Sequence, residues 1–155
     1  MFTSLINTNN INIFTIQYTL VSNVSSLNSA LQLLFQAEVL AIDCETTGLD
    51  PLTDSIRLIQ IAAPNHPVVL IDLPAIPKSD RSLLKQLLSN SAVKIAHNAK
   101  FDWQFLTLAG LQTSGKFFDT QLAYKVLTAG LHGRTYRHIS CFWNMNSISA
   151  GKIPG

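Results

Sequence analysis

Acidic residues are scarce and confined: the 155-residue chain has nine, all between Glu38 and Asp119. Charge of either sign is low, at 13% of residues, against 47% hydrophobic and a mean hydropathy of +0.24. Intrinsic disorder requires the opposite balance, so a folded chain with a sizeable core is expected, and the length suits one domain. Long apolar runs are missing as well. The most apolar stretch, Leu31 to Ile42, is interrupted by Gln32, Gln36 and Glu38 and falls short of the ~18–20 residues that cross a bilayer. The opening Met1-Phe2-Thr3-Ser4 has neither the basic region nor the apolar run of a signal peptide. No targeting signal is legible, and the cytoplasm is the expected location.

Cysteine is nearly absent. Cys44 and Cys141 show no metal or redox spacing and read as reduced thiols. His66, His97, His132 and His138 make no zinc pattern with them, and His97, at a strand end, reads as a structural hydrogen-bonder. A net charge of +2 is too small to argue for nucleic acid by itself. Its distribution says more: the 36 residues after Asp119 hold Lys125, Arg134, Arg137 and Lys152 and no acid. That skew suits a nucleic-acid surface or a solvated tail.

Periodicity and punctuation outline the elements. Residues 1–12 read as a loose leader rich in Asn, Thr and Ser. Phe14 to Val21 is β-branched and aromatic, an edge strand. Ser25 or Ser26 can cap a helix from Leu27 to Ala37. Val39 to Asp43 is a continuous apolar run, as in a strand covered on both faces. Ile56 to Ala63 and Val68 to Asp72 give two more strands around a Pro64-Asn65-His66-Pro67 turn. Ser79 can cap a helix to Leu88, Ala92 to Ala96 is a short strand, and helices follow from about Asn98 to Ala109 and from Thr120 to about Thr128. Asp119 is placed to cap the last of these. Such interleaving indicates an α/β domain with a mixed sheet.

Three segments carry possible chemistry. Asp43 and Glu45 are two apart at a strand end, so they share a face while Cys44 points away. Two carboxylates held together repel unless a cation joins them or one stays protonated, and hard oxygen ligands favour Mg²⁺ or Mn²⁺. Taken alone, the pair reads first as a solvated loop mouth. In His97-Asn98-Ala99-Lys100-Phe101-Asp102, Asn98 and Asp102 fall on one face of a helix start, where an Asp is also ordinary dipole compensation. Phe118-Asp119-Thr120 reads as a capped helix start. Gly110 to Phe117 mimics a phosphate loop, but Phe117 stands where the magnesium-binding hydroxyl belongs, and the segment follows a helix rather than a strand.

Together these segments resemble a known family. Ile42-Asp43-Cys44-Glu45-Thr46-Thr47-Gly48-Leu49 is similar to the first motif of the DEDD 3′–5′ exonucleases. Asn98-Ala99-Lys100-Phe101-Asp102 is similar to their second, Asn-x-x-aromatic-Asp. Ribonuclease D and the proofreading domain of family A DNA polymerases are the nearest in character. The resemblance covers residues 13–138 and implies an RNase H-like α/β fold: a mixed sheet flanked by helices. It also implies roles. Asp43 would bridge two Mg²⁺ or Mn²⁺ ions, Glu45 would hold one and Asp102 would support the other, flanking the scissile phosphate. Thr46 and Leu49 match positions that contact the 3′-terminal nucleotide, Leu49 as a wedge. Asn98 and Phe101 match supports of the second motif. The implied partner is a single-stranded 3′ end of DNA or RNA, read with little base specificity. A non-catalytic binding module or relic of the same fold is the alternative. An acid/base pair as in glycosidases suits adjacent carboxylates on one strand less well.

One expected part is missing. The family's third motif is Tyr or His, three to five residues, then Asp, on a later helix, and here Asp119 is the last acid. Residues 139–155 show no helical period. Shifted by one nucleotide, Trp143-Asn144 and Met145-Asn146 each read Glu, Phe142-Trp143 reads Leu, and Asn144-Met145 reads Tyr or His. A frameshifted or truncated product is therefore expected, with one of four metal ligands gone, weak metal binding and low activity.

Overall fold

The computed structural model describes residues 16–129. The leader at 1–12, the start of the first strand at Phe14, and the 139–155 tail with its frameshift reading all lie outside those residues.

Twelve elements alternate along the chain. They begin with β1 (Tyr18–Val21), α1 (Val24–Leu34), β2 (Val39–Thr46), β3 (Ile56–Ala62) and β4 (Val68–Asp72). Two 3-10 turns, Leu73–Ala75 and Lys78–Asp80, lead into α2 (Ser82–Leu88). β5 (Val93–Ala96), α3 (Ala99–Leu108), β6 (Phe117–Asp119) and α4 (Thr120–Leu127) complete the described fold. The strands form one mixed sheet in the order β1-β4-β3-β2-β5-β6. β2 and β4 flank β3 antiparallel, while β1 on β4, β5 on β2 and β6 on β5 are parallel. The expected α/β architecture is present.

Alternation on the central strands separates two sheet faces. Leu40, Ile42 and Cys44 of β2 and Ile59 and Ile61 of β3 turn into one core with Leu27, Leu31 and Leu34 of α1. Leu84, Leu87 and Leu88 of α2 and Phe105 and Leu106 of α3 close it. Each such side chain contributes on the order of 1.5–3 kcal/mol when fully buried, which fixes the strand register, since a one-residue slip would exchange the faces. Asp43 and Glu45 therefore emerge on the opposite, exposed face.

Several local boundaries differ from the sequence expectation. The cap of α1 is Asn23, whose side chain accepts from Ser26 N at 2.9 Å, rather than Ser25 or Ser26. Asn, Asp and Ser are near-equal caps, so the choice falls to where Leu27, Leu31 and Leu34 must face. Ser79 caps nothing: it lies in a 3-10 turn, and α2 starts at Ser82. Arg81, 8% exposed, interrupts the helix there because its guanidinium donates to Ile76 O and Leu73 O at 2.7–2.9 Å. β2 runs on to Thr46, three residues beyond its apolar run. β6 is an additional strand where only a helix start was expected. The phosphate-loop mimic is a loop with left-handed Gly110 (φ 72°) and Gly115 (φ 94°) that carries the chain from α3 to β6.

Candidate active site

The length of β2 creates the site. β5 pairs with β2 only through Ala41, so β2 projects beyond its parallel neighbour. The backbone N–H of Cys44, past the end of that pairing, donates to Asp102 Oδ1 at 3.0 Å. This bond brings the first turn of α3 against the end of β2. Asp102 is 4% exposed. Burial, then the charge of Asp43, raises its carboxyl to about 7. Asp43 also lies above the ordinary carboxylate range, first through burial and then through Glu45, while His97 and the Cys44 N–H oppose the shift. Burial and a neighbouring negative charge both favour the protonated carboxyl, and a bound cation would favour the ionised one. The Cys44 thiol, on the core side of β2, is buried, free and held neutral by burial and by the charges of Asp102 and Asp43.

Opposite Asp43 on β3 stands Gln60. Its amide nitrogen donates to Asp43 Oδ2 and Glu45 Oε1, each at 3.3 Å. The sequence reading did not single out this residue. A polar side chain flanked by the apolar Ile59 and Ile61 was its available signal.

The second motif is anchored from β6. Asp119 Oδ1 accepts from Asn98 N (3.1 Å), Gln121 N (2.8 Å) and Leu122 N (3.3 Å), and Oδ2 accepts from Ala99 N (2.9 Å). One carboxylate thus caps α3 and α4 together. Asn98 sits in the left-handed region (φ 59°) that Asn tolerates, and its side chain makes no cap. Phe101 packs on the core and against Phe105, with ring centres 4.9 Å apart. It supports α3 from beneath. His97 Nδ1 meets Thr120 Oγ1 at 3.0 Å.

The other two expected residues lie at the end of β2, Thr46, and in the β2–β3 loop, Leu49. Thr46 Oγ1 donates to Gly48 O at 2.6 Å. Leu49 is 83% exposed, and Leu52 stands out beside it at 82%. The loop beneath them is closely tied. Asp54 accepts from Thr47 Oγ1 (3.3 Å) and Asp50 N (3.0 Å), and Asp50 Oδ1 accepts from Leu52 N (2.9 Å). Exposed leucines on a braced loop form a preorganised apolar contact.

Asp43 and Glu45 thus form an oxygen-donor pair with Asp102 buried beside their strand. The donor chemistry suits a hard divalent cation. Among the described residues no three His, Cys, Asp or Glu side chains close a metal site by themselves.

A family model described as a 3′–5′ exonuclease matches residues 18–149. DNA polymerase I of Chloroflexus aurantiacus is 31% identical over 116 residues, which are 70% of this chain and 12% of that protein. The crystal structure of Escherichia coli RNase D, an exoribonuclease involved in structured RNA processing, superposes with a TM-score of 0.67 at 20% identity. That match covers 87% of this chain and 35% of RNase D. The EXD2 exonuclease domain, crystallised after soaking in Mg and dGMP, superposes with a TM-score of 0.58 at 23% identity. It covers 74% of this chain and 62% of that domain. The expected RNase H-like exonuclease fold is borne out, and the chain belongs to the 3′–5′ exonuclease family.

Proposed function

We propose that the chain hydrolyses phosphodiester bonds at the 3′ ends of single-stranded nucleic acid, with Asp43, Glu45 and Asp102 as the ligands of Mg²⁺ or Mn²⁺. The observation that carries this reading is the placement of the three acids: Asp43 and Glu45 share the exposed face at the end of β2, and Asp102 accepts from the Cys44 N–H beside them. A divalent ion bound there supplies positive charge for the phosphoryl oxygens. The chain's own residues do the rest. Leu49 and Thr46 receive the terminal nucleotide, Leu49 as an apolar wedge against the base. Asn98 and Phe101 hold α3 so that Asp102 stays beside β2. A wedge tolerates any base, so sequence preference is weak.

A further ligand would come from another residue or a partner chain. The test is a Mg²⁺ titration with a 5′-labelled single strand. Stepwise shortening from the 3′ end, suppressed by a 3′-phosphate, supports the proposal. Efficient cutting of a circular single strand overturns the proposed exonucleolytic action.

A further inference from the structure

Gln60 occupies an unexpected position. On β3, Ile59 and Ile61 turn into the core, while Gln60 projects onto the face that carries the acids, in register with Asp43 on one side and Leu70 on the other. Its amide reaches both carboxylates, Asp43 Oδ2 and Glu45 Oε1, at 3.3 Å each. Only the NH₂ end can face two carboxylates, which fixes the orientation of the amide.

The choice of side chain has consequences. A Lys or Arg here would neutralise the pair and take the place of a cation. An amide donates two N–H bonds without adding charge. It therefore restrains two mutually repelling carboxylates while leaving their full negative charge in place. It also engages one oxygen of each, so that Asp43 Oδ1 and Glu45 Oε2 are not needed for the bridge.

We propose that Gln60 is a positioning residue that holds Asp43 and Glu45 in a metal-ready arrangement. This rests on the metal-dependent reading above. Outer partners of metal ligands typically contribute roughly 10- to 100-fold in affinity.

The test is Mn²⁺ binding by isothermal titration calorimetry to wild type, Gln60→Met and Gln60→Asn, with Tm measured in EDTA. Gln60→Met keeps the length and loses both donors, so its Mn²⁺ affinity should fall about 10- to 100-fold. Gln60→Asn is one methylene too short to span both acids and should fall between the two. If the Met variant does not fold, the Asn variant decides by the same comparison. A purely structural role would lower Tm in EDTA and leave Mn²⁺ affinity unchanged, which would overturn the proposal. Binding in wild type with equal binding in the variants refutes Gln60 alone. No binding in wild type removes the metal reading and this inference together.

Discussion

Asp119 offers the most quantitative test of how the fold holds its site. Its two carboxylate oxygens take four backbone N–H groups: two at the start of α3 and two at the start of α4. Helix starts leave such donors without partners, and losing one N-cap costs about 0.5–2 kcal/mol. Asp119→Ala removes two caps at once. Since the Leu122 bond is long at 3.3 Å, a total of about 2–3 kcal/mol is expected. In a chain of this size that lowers Tm by roughly 5–10 °C. Asp119→Asn retains one acceptor oxygen, and if that is Oδ1 it keeps the bonds from Asn98, Gln121 and Leu122 and loses the one from Ala99. It should cost about half as much as the Ala change. Urea unfolding followed by circular dichroism at 222 nm would measure all three proteins, with m unchanged if only stability is affected. An Ala variant within about 0.5 kcal/mol of wild type, the range of ordinary surface changes, would refute the double-cap reasoning.

Three further outcomes are expected. Asp102 titrates near 7 in the fold and near 4 when unfolded. Between those pH values the folded state holds more protons, so the contribution of Asp102 to metal-free stability should be full below about 4 and be lost as pH rises through 7. Asp102→Asn should flatten that fall in Tm, and a variant declining as steeply as wild type would contradict the assignment. Asp43→Ala should abolish Mn²⁺ binding in calorimetry, and equal affinity in mutant and wild type would remove Asp43 as the shared ligand. A Cβ at Gly48 would land 2.6 Å from Asp54 Oδ1, and that carboxylate is tied to Thr47 and Asp50. Gly48→Ala should therefore cost about 1–3 kcal/mol and weaken single-strand binding in fluorescence anisotropy. Unchanged stability and binding would mean that the loop yields freely.

Much of the site was legible because its residues obey local rules. Two-residue alternation puts Asp43 and Glu45 on one face and turns Cys44 away from it. The same sequence logic put a cap at Asp119 and the second motif at a strand-to-helix junction. Local rules were weakest where several neighbours competed. Asn23, Ser25 and Ser26 can each cap a helix, and the core-facing leucines selected among them. Ser79 lost its helix to the hydrogen bonds of a buried Arg81, which no pattern in Lys78-Ser79-Asp80 announces.

The sequence by itself determined the element order apart from β6, the strand faces and the spacing of the two acidic motifs, because apolar periodicity and short spacings are properties of the chain alone. The tertiary structure decided what those motifs touch. β6 is three residues long, too short to show alternation, and exists because Phe117, Phe118 and Asp119 complete the parallel edge along β5. Asp102 meets Cys44 because β5 stops short of the end of β2. Gln60 meets Asp43 because β3 and β2 pair in one register across 17 residues of chain. Each of these contacts joins residues distant in sequence, and burial of the core side chains sets the register that makes them possible.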